Sequence, residues 1–149
     1  MNIASRLSLN AKTFPDKRAL LFPEFNKRTG KYDYTSLSFK ELDIRSNQFA
    51  NALSKMGMKR GDRTLLFLRP SLDFPAMTFA LFKMGVVPIL IDPGMGKKNL
   101  LKCIKESQPI GLISEAEIHL IKHFYPRAFK SSDKLYLNVN KDVQKKWLQ

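Results

Sequence analysis

"RTLLFLRPSLDFPAMTFALFKMGVVPILI" runs from Arg63 to Ile91, and its punctuation decides the fold. RTLLFL is a short apolar run, the pattern of a strand buried on both faces. Arg69-Pro70 stops it. A helix follows, with Ser71 or Asp73 as its cap and Pro75 in the first turn, where a missing N–H is tolerated. That helix runs through Met84 and is apolar nearly all round, from Leu72 and Phe74 through Met77, Phe79, Leu81 and Phe82. Gly85 ends it, and Val86–Ile91 is the next strand. Pro88 lies inside this strand and cannot donate a ladder hydrogen bond, which predicts a bulge or an open edge. Strand, helix, strand is the repeating unit of a parallel sheet with right-handed crossovers.

Downstream the alternation continues. Pro93-Gly94-Met95-Gly96-Lys97-Lys98 turns into an amphipathic helix over Lys98–Ser107. Leu100, Leu101 and Ile104 face inward, and Lys98, Lys102 and Lys105 share the other face. A strand, a glycine turn and a helix start are the parts of a phosphate loop, because the N–H groups of a helix start attract anions. The spacing fails that test. G-x-x-x-x-G-K-[ST] needs glycine at position 91 and a hydroxyl at 98, where Ile91 and Lys98 stand. G-x-G-x-x-G needs a third glycine where Asn99 stands. The glycines are read as permitting the turn, and Lys97 and Lys98 as its solvated edge. Beyond the turn, "IGLIS" is a strand, Glu115–Phe124 a helix ended by Pro126, "KLYLNV" a strand, and Val143–Leu148 a short helix.

Upstream, Ile3, Leu7, Ala11 and Phe14 space out as one face of a first helix. Arg18–Pro23 and Tyr32–Leu37 read as a hairpin around "EFNKRTGK". In "LSFKELDIRSNQFANALSKMG", Ser38 and Glu41 form a capping box, with Leu37 and Leu42 as the hydrophobic staple. Phe39, Leu42, Phe49, Leu53 and Met56 follow at helical spacing, and Gly57 closes the helix. The expected organisation is one partial domain over residues 1–149. Residues 1–62 form a helix–hairpin–helix lead-in, 63–139 a βαβ core and 140–149 a tail.

The chain has 149 residues, 44% of them hydrophobic, a composition that excludes wholesale disorder. No apolar stretch approaches the ~20 residues of a membrane helix. The single cysteine, Cys103, allows no internal disulfide, and no secretory signal is evident. A reducing, cytoplasmic setting is expected. The net charge is +13, with the basic excess spread over residues 1–62 and 97–149. Such a charge favours loose contact with polyanions. No RNP-like strand, zinc knuckle or GXXG loop accompanies it.

With the elements placed, the order of motifs becomes informative. "FPDKRALLF", the segment from Leu37 to Gly96 and "KCIKESQPIGLI" resemble the start of acyl-adenylate-forming (AMP-binding) enzymes. "RPSLDFPAMTFALFKMG", "ILIDPGMGKKNLLKCI" and "HLIKHFYPRAFKS" are most similar to the fatty acyl ligase or olefin β-lactone synthetase branch. The resemblance implies an α/β fold with a mostly parallel sheet and flanking helices, equivalent to the first part of the family's N-terminal domain. It implies a reaction in which ATP, with magnesium, and a fatty carboxylate give an acyl-AMP and pyrophosphate. The family's phosphate loop and catalytic lysine match no position here. The implied reading is a truncated or split portion of such a ligase, inactive alone, with no catalytic, cofactor-binding or metal residue of its own. The alternative is a non-catalytic module that binds a protein or polyanion.

Lesser candidates carry bland readings. Glu115, His119 and His123 lie at i, i+4 and i+8; the outer two are too far apart to share one zinc ion comfortably, which leaves a His119–His123 pair with an outside ligand against the usual reading of ordinary surface histidines. Cys103 adjoins the apolar face of its helix and reads as a small packed side chain. Lys97, Lys98, Lys102 and Lys105 are weak anion-contact candidates; a solvated helix face is the usual meaning of such a stripe. The expected partners are a second copy, as a dimer, or a downstream fragment completing the domain. The motive is the all-round apolar helix, which if uncovered would expose Phe74, Phe79 and Phe82.

Overall fold

The computed structural model describes residues 2–114 and 135–138. Helix α1 (Ala4–Thr13) leads into an antiparallel hairpin of β1 (Arg18–Asn26) and β2 (Lys31–Ser38). Both strands run further than the sequence suggests. Asn26 is the reason: its side-chain oxygen accepts from the N–H groups of Arg28 and Thr29 at 3.0 and 3.3 Å, which tightens the turn. Helix α2 (Phe39–Lys55) starts at the capping box read from the sequence. The Ser38 hydroxyl accepts from the Glu41 N–H at 3.2 Å, and the Glu41 carboxylate accepts from the Ser38 N–H at 2.8 Å. Leu37 and Leu42, the staple pair, are both buried.

From there the chain alternates: β3 (Arg63–Phe67), α3 (Asp73–Met84), β4 (Val87–Ile89), α4 (Lys97–Ser107), β5 (Gly111–Ser114) and β6 (Leu135–Asn138). The four strands form one sheet in the order β4-β3-β5-β6, and every pair is parallel. The helices expected over Glu115–Phe124 and Val143–Leu148, and the tail at 140–149, lie outside the described residues.

Side-chain alternation along β3 and β5 splits the core into two layers. Leu66 and Ile113 pack with Phe49 and Leu53 of α2 and with Met77 and Leu81 of α3. Leu65 and Leu112 pack on the opposite face with Leu100 and Ile104 of α4. So α3 and α4 cover opposite faces. The chain moves from β3 to one neighbour over the first face, then back across β3 to β5 over the second. Crossovers of one hand require that reversal.

Three details depart from the sequence reading. Helix α3 has Leu72 at its N-cap position without a side-chain cap bond, so neither Ser71 nor Asp73 caps it. Asp73 instead pairs with Arg45 of α2 at 3.0 Å. Second, Phe74, Phe79 and Phe82 are half-buried rather than exposed. Helices α1 and α2 lie against α3 and, with the sheet, supply the cover that an all-round apolar helix requires. Third, β4 is only three residues long rather than the six of Val86–Ile91, while its place at an edge of the sheet agrees with the open edge that Pro88 suggests. The Val87 N–H donates to the Asp62 carbonyl at 2.8 Å, so Pro88 has its backbone turned outward, away from β3.

Candidate functional site

In a parallel sheet every strand delivers its following loop to the same end. Here that end carries Arg69 and Ser71 after β3, Asp92 to Lys98 after β4, and Ser114 at the end of β5. The β3 connection leaves toward β4, while the chain after β5 proceeds to β6 on the other side. β3 and β5 stay paired up to Phe67 and Ser114, and the connections that follow them leave toward opposite sides of the sheet, a divergence of connections at the carboxyl ends. In open α/β sheets that divergence opens the crevice where ligands bind.

The turn after β4 is built by short-range contacts. Asp92 accepts from the Gly94 N–H at 2.8 Å and heads a 3-10 turn over Pro93–Met95 that the sequence reading lacks. A Cβ at position 94 would meet the Asp92 carboxylate at 3.1 Å, so glycine permits this close approach. Gly96, at φ 84°, occupies a backbone region unfavourable to other residues and forms the N-cap of α4. No side chain caps α4, and its first turn holds no acidic residue.

All four lysine candidates are exposed on α4. Lys97 and Lys98 sit in its first turn, where the helix dipole is also positive. Lys102 and Lys105 continue along the helix, and Lys102 approaches Glu106 at 3.9 Å. The arrangement is compatible with a passing anion, and it lacks the enclosing glycine loop that grips a phosphate. Cys103 is half-buried on the same helix. The Glu115, His119 and His123 set lies outside the described residues. Among the described residues no group of three or more His, Cys, Asp or Glu side chains is placed to hold a metal ion.

Two polar clusters escaped the sequence reading. Lys83 donates from its Nζ to Asp43 Oδ1 and to Asn47 Oδ1, each at 2.7 Å, and Ser8 donates to Asp43 Oδ1 at 2.8 Å. This joins α1, α2 and α3. Burial opposes ionisation of Asp43, but the bonds from Lys83, Ser8 and Asn47 outweigh it and hold its carboxyl below the ordinary value. At Asp73 the balance is reversed: burial raises the carboxyl above its ordinary value and Arg45 offsets only part. The signal for the first cluster was Lys83 itself, the one basic residue on a largely apolar helix.

Sequence comparison matches residues 7–146 to the family described as AMP-binding enzyme. An olefin beta-lactone synthetase from Stenotrophomonas maltophilia is 39% identical over 124 residues, covering 81% of this chain and 22% of that protein. An olefin beta-lactone synthetase from Xanthomonas campestris pv. campestris is 43% identical over 114 residues, covering 75% of this chain and 20% of that protein. The chain thus spans about a fifth of the length of these relatives. Among solved structures, a long-chain-fatty-acid-CoA ligase from Archaeoglobus fulgidus superposes with a TM-score of 0.77 at 20% identity, over 99% of this chain and 29% of that one.

Proposed function

The chain belongs to the AMP-binding enzyme family, and from that premise we propose that it supplies the opening βαβ portion of an ATP-dependent ligase that converts a fatty or β-hydroxy fatty acid into its acyl-adenylate. The observation that carries this reading is the alignment of most of the chain with two olefin beta-lactone synthetases at 39% and 43% identity. The fold supports it, since the same stretch superposes on an acyl-CoA ligase throughout its length.

In this reading the described residues do structural work for the reaction. The sheet sets the carboxyl ends of β3 and β5 side by side, and α4 turns its positive end and Lys97 and Lys98 toward that same end. The complete family enzyme uses ATP and magnesium. The described residues present no phosphate-gripping glycine loop and no cluster of metal ligands, so neither group is assigned to them. The chain alone is proposed to be inactive.

A chimera tests the reading. Residues 7–146 replace the matching segment of the Xanthomonas campestris relative, and pyrophosphate exchange is measured with fatty and β-hydroxy fatty acids. The chimera is expected to exchange pyrophosphate in an acid-dependent manner, while the 149-residue chain alone stays at the buffer level. A folded chimera without exchange would overturn the proposal, and so would turnover by the chain alone.

A second reading, a non-catalytic binding module, draws support from one observation. The β1–β2 hairpin presents apolar side chains to solvent.

A further inference from the structure

The hairpin divides its side chains cleanly. Leu21, Phe25, Tyr32 and Tyr34 fall on one face by strand alternation, and Phe25 stands opposite Tyr32 in the register. Their rings meet edge-on at 5.3 Å. These four side chains are 52%, 56%, 61% and 64% exposed, although each is large and apolar in body. The acidic residues Glu24 and Asp33 pair across the opposite face, where Asp33 accepts from the Asn26 amide at 2.8 Å. The tip between the strands carries Lys27 and Arg28; Lys31, the first residue of β2, falls by alternation on the Glu24 and Asp33 face. Asn26 holds this tip in one shape through its bonds to the Arg28 and Thr29 N–H groups.

We propose that the β1–β2 hairpin docks the protein on an anionic phospholipid surface. Leu21, Phe25, Tyr32 and Tyr34 would enter the boundary between headgroups and acyl chains, and Lys27 and Arg28 would meet the lipid phosphates. Tyrosine suits that depth because its ring is apolar and its hydroxyl stays wet. Charge selects this occupant over a second copy. Two copies meeting face to face would bring together chains of +13 each, whichever way the hairpins run. An anionic bilayer instead attracts the same tip, and the face that would repel it, with Glu24 and Asp33, points the other way. No helix among the described residues is long and apolar enough to cross a membrane, so the contact is one of surface docking. This proposal goes beyond the ligase reading and does not depend on it.

Flotation of the 149-residue chain with vesicles tests it, using phosphatidylcholine alone and phosphatidylcholine mixed with phosphatidylglycerol. The wild-type chain is expected to float with the anionic vesicles only. Lys27→Ala with Arg28→Ala should weaken that binding about 25-fold, from roughly fivefold per cation. The charge-matched control Lys55→Ala with Lys59→Ala, at the end of α2 and in the loop beyond it, should bind almost as wild type. Phe25→Ser with Tyr32→Ser should lose the part of the binding that survives raised salt while keeping the wild-type circular dichroism. Equal losses in the tip and control variants would reduce the effect to net charge and overturn the proposal. So would a Phe25→Ser, Tyr32→Ser variant that binds as wild type. A particle mass by light scattering that falls from dimer to monomer in the aromatic variant would assign the face to a second copy and also overturn it.

Discussion

At Asp43 two effects oppose each other, and the structure shows which one wins. Burial disfavours the charge; three hydrogen bonds and the Lys83 ammonium favour it more strongly. Because the folded-state carboxyl titrates below its unfolded value, this group stabilises the fold at neutral pH. The contribution is lost as pH falls through the carboxylate range toward that lowered value. Asp43→Asn is expected to cost about 2 kcal/mol near neutrality, the scale of a hydrogen bond to a charged partner, and to flatten the acid limb of stability. Thermal unfolding of both proteins from neutral to acid pH checks this; parallel curves would contradict it. Asp73 works with the opposite sign. Its carboxyl is raised in the fold, so its ionisation opposes folding above that raised value, and the opposition fades as pH falls.

Among the elements, α2 depends most visibly on its start. The reciprocal bonds between Ser38 and Glu41 satisfy donors that the first turn otherwise leaves unpaired. Ser38→Ala is expected to cost about 1 kcal/mol, read as a lower midpoint in urea with an unchanged slope. A midpoint equal to wild type would mean that the Leu37–Leu42 staple alone sets the helix start. Helix α3 makes the contrast. It has no side-chain cap, and its position is fixed by Ala76, Met77, Ala80 and Leu81, all fully buried. Its packing, more than its ends, holds it.

At the scale of the whole molecule, the parallel sheet was legible because apolar runs of strand length alternate with helical periodicity from Arg63 onward. The two-layer core follows from the same runs: in β3, successive Leu65 and Leu66 must face opposite sides. Strand order was not legible. It depends on which helix covers which face, and α3 and α4 differ in this only through contacts far apart in sequence. The cover over α3 was missed for that reason, since it comes from helices that precede it by many residues. The hairpin's aromatic face is not legible in the sequence, because the strands reach Asn26 and Lys31 only through the bonds by which Asn26 tightens the turn. The lysines were legible as an exposed stripe, but the position of Lys97 and Lys98 at the carboxyl end of the sheet follows only from the topology.

Pro88 gives the sheet a direction of growth. The outermost strand β4 turns a single residue toward its open side, and that residue has no N–H to offer. An incoming strand would find a carbonyl and no donor, so the seam beside β4 is sealed. Further strands, whether from the same chain or another, are left the β6 side. Pro88→Val restores the missing donor on an apolar edge and is expected to raise the particle mass by light scattering as concentration rises, relative to wild type. An unchanged mass would show that shortness alone closes this side.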